Sequence, residues 1–101
     1  MPVLVATITP KPDKVDEVVA AFREAVAEVH GEEGCELYAL HRSGDKLVMV
    51  EKWASDDALR AHSTGEPYRA LGKKLRDLVE GRPELMVLEP VPAGDATKGA
   101  L

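Results

Sequence analysis

Two side chains of one predicted strand combine proton chemistry with an aromatic surface. Glu51 and Trp53 lie two positions apart in the segment 46–54, so they share a strand face with Leu47 and Met49. A carboxyl group among apolar neighbours has a raised pKa, which suits proton transfer near neutral pH. We therefore predict that Glu51 is catalytic. The alternative is a structural carboxylate that binds an arginine or a backbone group at a subunit interface.

The same strand face offers a surface for an aromatic ligand. Trp53 is the only tryptophan, and its indole N–H adds a polar contact to an apolar ring. Met49 lies beside it on that face, so both residues are predicted to bind substrate. The alternative is that Trp53 anchors the core or an interface.

Two more candidates follow this strand along the chain. His62 ends a predicted short helix beside the flexible segment 63–65, where a neutral imidazole could accept a proton from a phenol. The alternative is a histidine that stabilises the C-terminus of its helix. Tyr68 begins the next helix and could turn its hydroxyl toward the same pocket, or it could be a packing residue. Both are predicted catalytic residues.

Tyr38 and His41 are candidate substrate-binding residues on the predicted strand 35–42. They lie three positions apart, so they point to opposite faces of the sheet. At most one of them can face a pocket, and the sequence leaves open which one does.

Signals for metals and nucleotide cofactors are absent. No two histidines have the spacing of metal ligands, no Glu-x-x-His motif occurs, and no glycine-rich loop follows a strand. Cys35 is the only cysteine, which excludes an internal disulfide and a cysteine-ligated metal cluster. The sequence predicts no metal site and no cofactor.

The overall charge narrows the possible partners. The 101 residues carry a formal net charge of −5 and no basic cluster, which argues against nucleic acid or an anionic membrane as a partner. No apolar stretch is long enough to cross a bilayer, and no targeting segment is evident. We expect a cytoplasmic protein.

Apolar periodicity and breaker residues predict an α+β domain with the element order βαββαβ, the ferredoxin-like arrangement with a four-stranded antiparallel sheet. Right-handed crossovers place both helical connections on one face of this sheet. The domain is predicted to span residues 1–91, followed by a flexible tail, 92–101. The predicted strands are 3–9, 35–42, 46–54 and 84–91, and the predicted helices begin after Asp13, Ser55 and Gly65.

Both faces of the predicted sheet are apolar. In the first strand, Val3 and Val5 oppose Leu4 and Ala6, and the third and fourth strands show the same pattern. Helices can cover only one face, and a solvated face would be polar. We therefore predict a homodimer in which a second copy covers the other face. The alternative is that the C-terminal tail or the loops of the same chain cover it.

The segment 34–69, GCELYALHRSGDKLVMVEKWASDDALRAHSTGEPYR, together with Glu32 just before it, carries three spaced motifs. They are an E-x-G-C-x-x-Y segment from Glu32 to Tyr38, the E-x-W of the third strand, and an A-L-x-x-H that ends at His62. This pattern resembles the antibiotic biosynthesis monooxygenase family, which includes quinol-monooxygenase-like proteins.

The resemblance implies a dimeric α+β barrel with one pocket per subunit between the sheet and the helices. It also implies oxygenation of a phenol, quinol or related enolisable molecule by dioxygen, without metal or flavin. In such a scheme we expect His62 as the base, Tyr68 and Glu51 as orienting groups, and Trp53 as the stacking surface. Two alternatives stay open: a non-catalytic ligand-binding or structural dimer, and an isomerase of a small hydroxy-carbonyl compound.

One branch of the family is disfavoured. The haem-degrading members use an asparagine, a tryptophan and a histidine at positions that match Thr7, His62 and Gly72. None of the three carries the required side chain, so the resemblance does not extend to haem degradation.

Overall fold

A computed structural model describes all 101 residues and contains four strands and three helices. In chain order they are β1 (Val3–Ile8), α1 (Val15–Val29), β2 (Cys35–Ser43), β3 (Lys46–Trp53), α2 (Asp56–Ser63), α3 (Glu66–Leu75) and β4 (Glu84–Leu88). The strands form one antiparallel sheet in the order β2-β3-β1-β4. The predicted ferredoxin-like α+β fold is confirmed.

Helix α1 forms because its apolar residues recur at helical spacing and pack on the sheet. Val18, Phe22 and Val29 are almost completely buried. The helix start differs from the expected one. Lys14, not Asp13, occupies the N-cap position, and no side chain caps the helix. Asp13 has a φ of 66°, so it belongs to the turn after Pro12 and cannot act as the cap.

The ends of the other elements follow local chemistry. The side chain of Ser55 accepts a hydrogen bond of 3.1 Å from the Ala58 N–H, as expected for an N-cap. Strand β4 stops at Leu88, three residues before the predicted end, because Pro90 cannot donate a ladder hydrogen bond.

Helix α3 is also shorter than its apolar stripe. It ends at Leu75, although Leu78 and Val79 continue the pattern. The backbone after the helix pairs with the loop that follows β1. The Lys11 N–H donates to the Leu78 carbonyl at 2.9 Å, and the Glu80 N–H donates to the Thr9 carbonyl at 2.8 Å.

The helices cover one face of the sheet, which we call the inner face, and the core lies between them. The inner face of β1 and β3 carries the side chains of Leu4, Ala6, Ile8, Leu47, Met49, Glu51 and Trp53. All of them are buried. Helices α1 and α3 are joined at their surfaces by an ion pair of 2.7 Å between Lys74 and Glu24. This pairing lowers the pKa of the Glu24 carboxyl.

The opposite face, the outer face, has no helix over it. Its centre is apolar, and Val5, Val48 and Val50 are only half-buried there. Strand β4 is exposed on both sides, since Leu85, Met86 and Val87 keep 62%, 61% and 71% of their surface accessible. The sequence-based expectation of two apolar faces is therefore confirmed.

The chain after β4 forms no helix or strand. Its last residue contacts the sheet, because the Lys52 ammonium donates a 2.6 Å hydrogen bond to the Leu101 carbonyl oxygen. The division into a domain, 1–91, and a flexible tail, 92–101, stays a prediction. No helix of the protein has both the length and the apolar character needed to cross a bilayer.

Candidate functional site

Strand β3 places the carboxyl group of Glu51 on the inner face. Because strand side chains alternate, Glu51 and Trp53 point the same way, and the Trp53 indole N–H donates a 3.0 Å hydrogen bond to Glu51 Oε1. Glu51 is 7% exposed and Trp53 is 0% exposed. Tyr38 lies directly opposite Glu51 on β2. The tryptophan therefore holds the carboxyl group in place.

Helix α2 brings His62 against this pair. The imidazole stacks on the Trp53 indole with ring centroids 4.5 Å apart, and its Nε2 lies 4.0 Å from Glu51 Oε1. Its Nδ1 lies 3.0 Å from Glu32 Oε1, across 30 residues of sequence. Because a carboxylate oxygen accepts, the imidazole donates through Nδ1 in this contact.

Gly34 makes this close approach of α2 possible. It has a φ of 82°, and a Cβ atom there would lie 2.5 Å from the Cβ of Ala58 in α2. The Ala54 N–H also donates a 2.8 Å hydrogen bond to the Gly34 carbonyl. The glycine of the E-x-G-C motif thus allows the turn that carries Glu32 to pack on the helix that carries His62.

Burial dominates the electrostatics of the site. Removal from water raises the pKa of Glu51, against the opposing effects of the Trp53 hydrogen bond and of His62, while Glu32 adds to the increase. Burial also raises the pKa of Tyr38, with smaller contributions from the same two carboxylates. The second oxygen of Glu32 is buried and has no hydrogen-bond partner.

A cleft of about 670 Å³ opens between the inner face, α3 and the segment 76–83. Glu51 is the only acidic residue on its wall, beside the two tyrosines, Tyr38 and Tyr68. Most of the remaining wall is apolar and includes Ala6, Ile8, Phe22, Met49, Leu71, Leu75, Val79 and Leu85. Two smaller depressions, of about 380 and 510 Å³, lie along β2 and α1 and do not include Glu51.

The predicted site residues separate into three groups. Four of them share the cleft wall, namely Glu51, Met49, Tyr38 and Tyr68. His62 and Trp53 contact Glu51 on the side away from the cleft. They do not line the cleft, since both are buried in the core. His41 is not brought to the site. It is exposed on the outer face, where its Nδ1 lies 3.2 Å from the Ala39 carbonyl.

Three residues of the site were not singled out for chemistry by the sequence. Glu32 belongs to the E-x-G-C-x-x-Y motif, and this membership was the only sequence signal that could have singled it out. Arg76 and Arg82 line the cleft, but nothing in their sequence neighbourhood indicates this. The structure brings together no group of three or more potential metal ligands.

A family model for antibiotic biosynthesis monooxygenases matches residues 1–74 of the chain, and this range includes every motif described above. The chain belongs to the antibiotic biosynthesis monooxygenase family. Membership confirms the resemblance and supports a general monooxygenase-like role. No curated protein sequence matches the chain.

Several solved structures share the fold. The Rv0793 protein from Mycobacterium tuberculosis is 26% identical, with a TM-score of 0.84 over 94% of this chain and 100% of the other. A candidate antibiotic biosynthesis monooxygenase from Caulobacter crescentus is 31% identical, with a TM-score of 0.83 over 89% of each chain. An antibiotic biosynthesis monooxygenase at 24% identity has a TM-score of 0.84 over 91% of this chain and 100% of its own, which shows the fold alone.

Proposed function

We propose that the protein is a cofactor-independent monooxygenase that oxidises a phenol, quinol or related enolisable molecule. One observation carries the proposal: Glu51, a carboxyl group with a raised pKa, stands alone as an acid on the wall of a largely apolar cleft. A base of this kind can remove a phenolic proton where little water competes for it. Membership in the family supports the choice of oxygenation as the reaction.

In the proposed reaction, Glu51 accepts the hydroxyl proton and leaves an electron-rich anion in the cleft. The anion reduces dioxygen, and a bond forms between the ring carbon and oxygen to give a peroxide anion. This anion takes back the proton that Glu51 accepted and becomes a hydroperoxide. Loss of water from the hydroperoxide leaves a carbonyl group at that carbon. One oxygen atom enters the product, the other leaves as water, and the two hydrogens of that water come from the substrate.

The structure favours different roles for two residues than the sequence did. His62 was expected to be the base, but its position behind Glu51 favours a role as the next proton acceptor. Its Nε2 is 4.0 Å from Glu51, so a small movement is needed before a proton can pass. Trp53 is too deeply buried to stack on a ligand, and we propose that it orients Glu51 through its hydrogen bond. We propose that the hydroxyls of Tyr38 and Tyr68, which line the cleft, orient the substrate.

The decisive experiment is oxygen uptake with a panel of quinols and hydroxynaphthoquinones. The variant Glu51→Gln keeps the shape of the side chain but cannot accept the proton. We expect its kcat to fall by about a hundredfold to ten-thousandfold. The matched control is His41→Gln on the outer face, which should retain the activity. Equal turnover by Glu51→Gln and the unaltered protein would remove Glu51 from the scheme.

We also propose that the protein is a homodimer joined through the outer face. The support is the apolar centre of that face, where Val5, Val48 and Val50 stay partly accessible and no helix of the same chain packs. The same face from a second copy is apolar and of matching size, and a two-fold axis closes the pair without leaving a free surface. The cleft lies on the inner face, so it stays open to substrate in this arrangement.

A further inference from the structure

The charge of the cleft differs from that of the molecule. The chain has 18 acidic and 13 basic residues, yet the cleft wall carries one acidic and two basic side chains. The basic ones are Arg76 and Arg82. Neither forms an ion pair with any carboxylate of the chain, whereas Arg60 and Arg69 do. Two unneutralised guanidinium groups therefore line one cleft of an acidic protein.

Local structure keeps both arginines available to a ligand. Arg76 directly follows the last residue of α3, and Arg82 lies in the connection that leads to β4. Both residues are exposed. The apolar side chains of Leu75 and Leu85 lie beside them on the cleft wall. A ligand that reaches the arginines thus also contacts apolar surface.

Arg82 and Glu51 occupy different parts of the cleft. Arg82 precedes β4, Glu51 lies on β3, and β1 runs between these two strands. Two strand spacings separate the positions laterally by about 10 Å. The two positions are also offset along the strands. Glu51 on β3 pairs with Leu4 of β1, whereas the first residue of β4 pairs with Thr7 of β1.

We propose that the substrate carries a carboxylate in addition to the hydroxyl that is oxidised, and that Arg76 and Arg82 bind this carboxylate. Guanidinium groups bind carboxylates through charge-assisted, often paired, hydrogen bonds. The separation of Arg82 from Glu51 requires that the hydroxyl and the carboxylate lie at opposite ends of an elongated, largely apolar molecule. The inference rests on the proposed function for the identity of the reacting hydroxyl, but the anion site itself is tested without turnover.

The test is isothermal titration calorimetry under argon with three probes. Para-hydroxycinnamate carries both groups at opposite ends, its methyl ester lacks only the charge, and ortho-hydroxycinnamate brings the groups closer together. We expect para-hydroxycinnamate to bind about tenfold or more tightly than either of the others. Added salt should reduce this preference, because the contacts are partly exposed to solvent.

The variants Arg76→Gln and Arg82→Gln should each reduce the preference for the free acid over the ester, and the double variant should abolish it. Binding of the ester should change little. Arg69→Gln is the matched control, since Arg69 lies on α3, pairs with Glu66 at 3.8 Å and does not line the cleft. A thermal unfolding curve for each variant verifies that it is folded.

Each outcome either supports or overturns the anion site. It is overturned if para-hydroxycinnamate fails to bind, if it binds no better than its ester, or if the double variant keeps the preference. Oxygen uptake with quinols is measured separately. Absence of uptake together with an intact preference for the acid would reject the monooxygenase proposal and leave the anion site standing.

Discussion

The site depends on two carboxyl groups with different partners, one buried and one partly exposed. Glu51 accepts a hydrogen bond from Trp53, and Glu32 contacts the far nitrogen of His62. The imidazole therefore stands between the two carboxyl groups, with Nδ1 directed to one and Nε2 to the other. In the proposed reaction Glu32 acts as a positioning residue, because it fixes the ring that would take a proton from Glu51.

The tautomer of His62 should depend on Glu32. When the His62 ring is neutral, we expect its hydrogen on Nδ1 in the unaltered protein. In Glu32→Ala, which removes the acceptor, we expect the tautomer with the hydrogen on Nε2 to become more populated. Glu32→Gln is the matched control, since its amide oxygen still accepts. Nitrogen NMR can read the tautomer directly because the chain has only 3 histidines. An Nε2 hydrogen in the unaltered protein would contradict the assignment.

The raised pKa of Glu51 should appear in the pH dependence of stability. The folded protein holds this proton more tightly than the unfolded chain, whose carboxyl has a pKa of 4.5. Glu51 therefore favours the folded state at low pH, and this contribution is lost as pH rises from 4.5 through the raised folded pKa.

The free energy of unfolding is measured for the unaltered protein and for Glu51→Gln over about pH 4 to about pH 8. The quantity of interest is the value for the unaltered protein minus the value for the variant. We expect this difference to fall as pH rises, since glutamine does not titrate and the other groups are common to both proteins. A difference that rises with pH would mean that the pKa of Glu51 is lowered.

At the scale of elements, the site is assembled where β2, β3 and α2 meet. The hydrophobic periodicity and the Ser55 cap predicted these elements from local signals. Their close packing depends on Gly34, whose left-handed backbone and contact with Ala58 leave no space for a side chain. This glycine is therefore an element-level determinant of the site, although it contributes no functional group.

Gly34→Ala should lower the free energy of unfolding by about 2–5 kcal/mol, the sum of left-handed backbone strain and overpacking against Ala58. Gly44→Ala is the matched control. Its φ is 61°, but nothing lies within 4 Å of the added Cβ, so only about 1–2 kcal/mol of backbone strain is expected. Denaturant titration measures both losses. Equal losses would show that the approach of α2 to β2 is not tight.

At the scale of the whole molecule, the proposed dimer depends on the outer face. Val50 lies at its centre, paired with Val5 on one side and Ala39 on the other. Strand β4 is exposed on both sides, so the sheet edge adds apolar surface that a partner could also cover. Burial of this surface is the driving force that we propose for a dimer.

Val50→Lys should convert the proposed dimer to a monomer, because it buries an unpaired charge in the interface. Ala20→Lys, on the exposed side of α1, adds the same charge elsewhere and should leave the dimer intact. Light scattering at micromolar concentration measures the mass, and circular dichroism verifies the fold. A monomer mass for the unaltered protein would contradict the proposal.

The sequence by itself determined the element order, the placement of Glu51 and Trp53 on the same strand face, and the apolar character of both faces of the sheet. Each of these follows from short-range periodicity, which a single chain displays directly. Only the tertiary structure decided that Tyr38 rather than His41 faces the cleft, because alternation shows which residues share a face but not which face the helices cover.

The tertiary structure also decided the composition of the site. Glu32 reaches His62 across 30 residues, and Arg76 and Arg82 join the cleft only because the connection before β4 folds beside α3. Contacts of this kind depend on how helices pack on a twisted sheet, which no local pattern encodes. The same packing buried His62 and Trp53 behind Glu51, and so moved the proposed base from the histidine to the carboxyl group.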